Sequence, residues 1–251
     1  MNHLHGKFVW FEHLSGDTAP ARKFYDALFG WNTELVPMGG PEPYPLVMNG
    51  KVAIGGFRKA PPGMASLWMP YLSVPDVDAA HASALAAGAT SLMPPTEFSG
   101  AGRGATLADP TGAVFSLWTS VHDDRADSPA TAFGDWHWNE LMTPDESKAV
   151  AFYERVFDYS HDTMDMGPQG TYYLLKKGDI MRAGLMRSPM PDTAPLWVPY
   201  VAVADCDATA AKAQALGAQL IVEPADIPNV GRFATIIDAQ GACIAFMKPS
   251  A

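Results

Sequence analysis

The sequence predicts an α+β fold in two tandem domains, each assembled from two βαβββ units, and three observations carry that prediction. The chain repeats itself: Trp10, Glu12, Asp17 and Phe24-Tyr25 recur as Trp138, Glu140, Asp145 and Phe152-Tyr153 at a constant offset of 128. Tyr71, Gly88, Arg103 and Asp109 recur as Tyr200, Gly217, Arg232 and Asp238 at 129, so one inserted residue separates two copies. A period this long marks duplicated domains, not a solenoid of short units. Each copy also runs twice through strand, helix and three strands. Finally, 22 Gly and 22 Pro fall mainly between periodic segments, as many short strands and tight turns require.

The elements follow in order. Residues 7–14 alternate and are aromatic enough for a strand, and residues 15–17 can cap a helix from Ala19 to about Leu28 that Gly30 stops. Three β-prone runs follow at 31–38, 44–48 and 51–58, divided by Gly and Pro turns. The cycle restarts with a strand at 67–74, a helix from Asp76 or Val77 to Ala87 ended by Gly88, and strands at 90–93, 104–107 and 113–118. The second copy predicts helices near 147–156 and 206–216 and a last strand at 242–248. The domains so drawn are 6–119 and 134–249. Residues 120–133, polar, charged and small, have linker composition.

Size and composition narrow the function. At 251 residues and 48% apolar, the chain is long enough for two cores of ordinary size. No run approaches the roughly 20 apolar residues of a membrane span, and the N-terminal residues lack a secretory pattern, so a cytoplasmic protein without a membrane partner is expected. A net charge of −10 argues against a nucleic-acid partner. Cys206 and Cys243 show neither CxxC spacing nor a partner His, and are expected to be reduced thiols.

The paired Trp-x-Glu strands, the Asp…Phe-Tyr…Phe helices, and the turns Asp109-Pro110-Thr111-Gly112 and Asp238-Ala239-Gln240-Gly241 give the chain a nameable likeness. Over nearly its whole length it resembles the vicinal oxygen chelate superfamily of glyoxalases, extradiol dioxygenases and bleomycin-resistance proteins, specifically its tandem-domain, glyoxalase-like members. The resemblance implies that paired βαβββ units form a curved mixed sheet, a cup with helices outside and ligand within. It also implies metal-ligand positions, which fall on Trp10, Met69 and Ser116 in the first copy and Trp138, Val198 and Ala245 in the second. The fourth-strand position falls near Gly55-Gly56 and Ala183-Gly184. Indole, thioether, methyl and a lone hydroxyl are not a donor set for a divalent ion, so no metal and no cofactor are expected.

Strand alternation then sets the expected ligand wall. If Trp10 faces the ligand, so does Glu12, and the matching strand presents Trp136, Trp138 and Glu140. Other walls present Met69 with Tyr71, Val198 with Tyr200, Ser116 with Trp118, and Ala245 with Met247. Mostly apolar walls with one carboxylate per copy suit a small, flat or cationic aromatic molecule. Glu12 and Glu140 are the candidate catalytic groups, as general bases or as partners of a cationic ligand, against the alternative of a carboxylate that only braces the wall. Arg103 and Arg232, after Gly-rich loops, could meet an anion or brace the loop. Phe24-Tyr25 and Phe29 are expected to cover the back of the sheet, and isolated histidines such as His13 to be structural.

Three functions remain open on these residues. One is a metal-independent, glyoxalase-like binding protein or enzyme, a lyase or hydroxylase. A second is a non-catalytic sequestering protein of the bleomycin-resistance type, and a third a metal-dependent lyase or dioxygenase whose ligands lie elsewhere. The duplication makes a monomer as reasonable an expectation as a homodimer.

Overall fold

The computed structural model describes residues 1–38, 42–128, 130–190 and 193–250; position 129 of the expected linker lies outside them. The first copy contains β1 (Phe8–Ser15), α1 (Thr18–Phe29), β2 (Asn32–Val36), β3 (Tyr44–Asn49) and β4 (Val52–Lys59). It continues through β5 (Leu67–Ser73), α2 (Val77–Ala86), β6 (Thr90–Phe98), β7 (Gly102–Ala108) and β8 (Val114–Ser120). The second copy contains β9 (Trp136–Thr143), α3 (Glu146–Phe157), β10 (Ser160–Asp165), β11 (Thr171–Lys177) and β12 (Ile180–Arg187). It ends with β13 (Leu196–Ala202), α4 (Cys206–Ala215), β14 (Gln219–Ile227), β15 (Gly231–Ile237) and β16 (Cys243–Pro249). The strands form two eight-stranded mixed sheets, ordered β2-β3-β4-β1-β5-β8-β7-β6 and β10-β11-β12-β9-β13-β16-β15-β14. This is the α+β, four-module architecture that the repeat predicts.

Local chemistry sets the helix ends. Asp17, Asp76, Asp145 and Asp205 each stand just before a helix, and each accepts a hydrogen bond from a first-turn amide at 3.0 Å. Gly30 ends α1 in the left-handed region at φ 73°, where glycine carries no steric cost. Its counterpart Asp158 adopts φ 53°, and Lys177 Nζ holds it there by bonding its carboxylate at 2.8 Å and the carbonyl of Phe157 at 3.1 Å. One expectation needs correction: β6 runs on to Phe98 through Pro94-Pro95. The ladder shifts register between Met93 and Thr96, so this bulge, on a strand at the sheet edge, lifts the prolines out of the pairing.

The chain divides into two compact units that do not follow the sequence copies. Unit I comprises Met1–Trp10, Pro70–Ala126 and Trp138–Trp197; unit II comprises Phe11–Met69, Asp127–His137 and Val198–Ala251. Each draws one βαβββ module from each copy. Part of the expected linker is fixed in unit I, where Asp123 and Asp124 accept from the amides of Asn2 and Leu4 at 2.6 Å.

The same polar lock sits in the core of both units. In unit I, Asp109 Oδ1 accepts from the amides of Thr111, Gly112 and Ala113 and so holds the turn before β8. Its Oδ2 accepts from the Tyr153 hydroxyl at 3.1 Å, which in turn accepts from Trp197 Nε1 at 3.0 Å. In unit II, Asp238 Oδ1 holds the turn before β16, Tyr25 donates to Oδ2 at 2.7 Å, and Trp68 Nε1 donates to Tyr25 at 2.8 Å. Burial and the neighbouring carboxylate hold both phenols well above their ordinary range, so they remain donors. Unit II adds His13, fully buried, with Nε2 2.9 Å from Asp238 Oδ2, where unit I has Leu141.

Around these locks the two cores diverge. Unit II packs Trp136 against Phe11, Trp31 and Trp68 at centroid separations of 4.4, 5.3 and 5.1 Å. The equivalent residues of unit I are Phe8, Asn139, Tyr159 and Trp197, with less ring surface.

Tyr25→Phe and Tyr153→Phe each leave a buried carboxylate oxygen and an indole N–H short of a partner. Each is expected to lower the unfolding free energy by about 1–3 kcal/mol in urea denaturation. His13→Leu, which copies Leu141, is expected to cost less than Tyr25→Phe; the reverse order would place the lock on the imidazole. Burial raises the Asp238 carboxyl, but the hydrogen bond and charge of His13, with Tyr25 and the Ala242 amide, outweigh it and hold it below its ordinary value. A depressed carboxyl stabilises the fold above its unfolded value of about 3.9 and loses that contribution as pH falls through the folded value. Melting temperature followed from pH 6 to about pH 2 is therefore expected to fall less steeply in Asp238→Asn than in the parent.

Candidate functional site

The candidate carboxylates are built by a strand register and a glycine. On β1, Glu12 lies opposite Gly56 of β4, and Tyr44 sits on β3, two residues before Leu46, the β3 partner of Gly56. A Cβ on Gly56 would fall on the Tyr44 hydroxyl, so only glycine lets the phenol lean across β4. There Tyr44 donates to Glu12 Oε1 at 2.7 Å, and Arg58 Nε, two residues beyond Gly56, donates to Oε2 at 2.7 Å. Glu12 is only 3% exposed, and both its oxygens are held.

The second copy repeats the tyrosine-over-glycine device. Glu140 on β9 lies opposite Gly184 of β12, whose Cβ would fall on the Tyr172 hydroxyl. Tyr172 is hydrogen-bonded to Glu140 and accepts from Trp138 Nε1 at 3.0 Å. Burial and the Glu140 charge push the Tyr172 phenol far above its ordinary range, so it stays a neutral donor. Met186 occupies the position equivalent to Arg58. Trp138 and Glu140 are thus joined through one tyrosine in unit I.

The other expected wall residues separate into groups. Tyr71 and Trp118 are half-buried and meet edge to face at 6.0 Å, with Phe98 tilted on Trp118 at 5.7 Å. Trp10 is also half-buried. Met69, Val198, Tyr200 and Met247 lie almost wholly inside, and Ser116 bonds Thr106 at 2.8 Å in the interior.

Three of the expected residues have defined partners. The half-buried Trp136 packs its indole against the aromatic cluster of unit II, and its N–H donates to the Ile54 carbonyl at 2.7 Å. Arg103 and Arg232 are braces. Each makes a two-pronged bond to a first-turn aspartate, Asp78 at 2.7 and 2.9 Å and Asp207 at 2.7 and 2.8 Å. Because those helix carboxylates lie within reach of the guanidinium fork, no anionic ligand is needed to explain the arginines. Sequence reasoning missed Tyr44, Arg58 and Tyr172. The recurrence of Tyr44 as Tyr172 and of Gly56 as Gly184 at offset 128 was the available signal.

The metal positions implied by the resemblance do not fit a divalent ion. The fourth-strand place is covered by a tyrosine hydroxyl over glycine, Ser116 is spent on Thr106, and Met69 and Val198 offer no oxygen or nitrogen. Among the described residues no three His, Cys, Asp or Glu side chains come together as a metal set.

Comparison with known proteins gives a consistent picture. Residues 11–118 match the family model described as "Glyoxalase-like domain". Over 247 residues the chain is 40% identical to "Putative glyoxylase CFP32" of Mycobacterium tuberculosis, covering 96% of this chain and 94% of that protein. It is 32% identical over 254 residues to the anthracycline biosynthesis protein DnrV of Streptomyces peucetius, covering 94% and 91%. Among solved structures it resembles the Mn(II)-bound glyoxalase of Novosphingobium aromaticivorans, with TM-score 0.69, 15% identity and coverage of 98% and 83%. It also resembles the 2,2',3-trihydroxybiphenyl 1,2-dioxygenase of Sphingomonas wittichii RW1, with TM-score 0.67, 12% identity and coverage of 98% and 91%. At these identities the structural likeness concerns the fold alone.

Gly56→Ala and Gly184→Ala are each expected to displace the tyrosine from its glutamate and lower the unfolding free energy by about 1–3 kcal/mol. Gly16→Ala, where a Cβ would meet nothing within 4 Å, serves as the control and is expected to leave the urea midpoint nearly unchanged.

Proposed function

The chain belongs to the glyoxalase-like proteins of the vicinal oxygen chelate superfamily, and on that premise we propose that it binds a planar aromatic small molecule without a metal ion. The observation that carries this reading is the buried, tyrosine-held glutamate of each copy, standing on the strand face where metal-dependent relatives are expected to place donors. A carboxylate fixed by a phenol accepts a hydrogen bond or a proton from a ligand hydroxyl, and half-buried indole and phenol rings supply stacking area. Two relatives named for anthracycline biosynthesis, whose namesake compounds are fused-ring aromatics, support that ligand class.

If the ligand is turned over, the glutamates take the proton while the rings orient the molecule.

Protein treated with EDTA and dialysed is expected to bind quinizarin, a planar dihydroxyanthraquinone, as read by quenching of tryptophan fluorescence. The double variant Glu12→Gln/Glu140→Gln is expected to weaken binding about tenfold, equivalent to about 1.4 kcal/mol, with its melting temperature kept within a few degrees. Binding that disappears with EDTA and returns with Mn(II) or Zn(II) would sink the metal-independent reading. Unchanged affinity in the double variant would reduce the glutamates to wall braces.

A further inference from the structure

The two copies offer matched aromatic walls on β5, β7 and β8 of unit I and on β13, β15 and β16 of unit II, yet the walls are not alike. In unit I, Trp118 lies opposite Gly104 of β7 in the ladder. A Cβ on Gly104 would come within 2.8 Å of its Cε3, and one on Gly102 within 2.9 Å of its Cζ2. The indole therefore lies flat across two glycines, one face against the β7 backbone. Tyr71 and Phe98 flank it, and all three rings remain half-buried. The Gly-Ala-Gly-Arg-Gly run at 100–104, which has no phosphate-loop context, has its use here as the bed of an indole.

In unit II the same ladder position pairs Phe233 with Met247. Gly102 keeps its counterpart in Gly231, but Phe233 stands where Gly104 would be, Met247 where Trp118 would be, and Ile227 where Phe98 would be. The Phe233 ring inclines over Tyr200 at 6.3 Å and 32°, and Tyr200 and Met247 are only 4% and 3% exposed. That wall is filled by its own side chains. A second difference lies in the same row. Ser73, directly opposite Trp118 on β5, is fully buried with a hydroxyl that finds no hydrogen-bond partner among the described residues, whereas the unit II position is Ala202. A buried hydroxyl without a partner is costly, and an oxygen on the rim of a ring ligand would relieve it.

We infer that the Trp118 platform, bedded on Gly102 and Gly104 and flanked by Tyr71 and Phe98, is the planar-ligand site, and that its unit II counterpart is closed. The chain then binds one planar aromatic molecule, not the two that its duplication suggests. The inference rests on the functional reading above and adds to it the place, the stoichiometry and the residue that sets them: Gly104 against Phe233. Stacking on a half-buried indole is the interaction that selects a fused-ring aromatic over an aliphatic ligand.

Isothermal titration with quinizarin on the intact chain tests it. The parent is expected to bind one equivalent. Trp118→Ala is expected to weaken binding at least about tenfold with an unchanged melting temperature, and Gly104→Phe to abolish it. Phe233→Gly/Met247→Trp, which rebuilds the platform in unit II, is expected to raise the stoichiometry to two. Two equivalent sites in the parent, or full affinity in Trp118→Ala, would overturn this inference and leave the functional reading standing. No binding by the parent at all would overturn the functional reading, and this inference with it. If the rebuilt variant melts at a markedly lower temperature, the parent stoichiometry and Trp118→Ala decide the matter.

Discussion

The structure depends on a buried aspartate that serves two masters. Asp109 and Asp238 each use one oxygen to close the turn before a last strand and the other to accept a tyrosine hydroxyl, and that tyrosine is braced by an indole. An ionised carboxylate is tolerable in a core only when its lone pairs are satisfied, so turn and helix depend on one another. The partners come from different copies of the repeat: Asp109 meets Tyr153 and Asp238 meets Tyr25. A single copy therefore carries half of each lock, and covalent linkage supplies the other half at high effective concentration.

This exchange also explains how the copies were free to diverge. The lock residues, their capping aspartates and the glycine beneath each site tyrosine recur in both copies, whereas the packing around them does not. Unit II surrounds its lock with Trp31, Trp136, Phe11, Phe57 and His13; unit I uses Tyr159, Phe8, Asn139, Leu185 and Leu141 at the same places. Hydrophobic cores accept such changes when volume is roughly redistributed, but a polar side chain in the wrong place is costly. Asn139 is such a case: it is 2% exposed, and neither amide atom has a hydrogen-bond partner among the described residues.

Much of this was legible in the sequence, and the boundary has a physical basis. The repeat offset, the capping aspartates and the module order are local or periodic signals, and they were read correctly to within a few residues. Strand alternation assigns Glu12 and Trp118 to one side of their strands. It did not show that the Trp136 indole meets Phe11, Trp31 and Trp68, because periodicity fixes which side of a strand a residue leaves by but not which module packs there. Tyr25 was read as helix packing, which it is, but its hydroxyl finds a carboxylate 213 residues away, and no local pattern encodes that pairing. The arginines were ambiguous for a milder reason: Arg103 and Asp78 are only 25 residues apart, yet their approach depends on how β7 lies against the first turn of α2.

The fourth-strand glycine bears directly on whether a donor side chain can stand at that position. A His or Glu donor at Gly56 would need a Cβ in the space of the Tyr44 hydroxyl, and the same exclusion holds for Gly184 and Tyr172. A donor at that position and a tyrosine-held glutamate opposite it are alternatives that cannot coexist on this backbone. Restoring a donor by one substitution would expel the phenol and strip Glu12 or Glu140 of a hydrogen bond in a nearly dry setting, where the loss is large. The reverse step is equally blocked, because the tyrosine cannot reach its glutamate until the donor has gone. The two kinds of site are thus separated by a barrier of paired changes. Both copies stand on the same side of it, although their walls and cores have drifted apart.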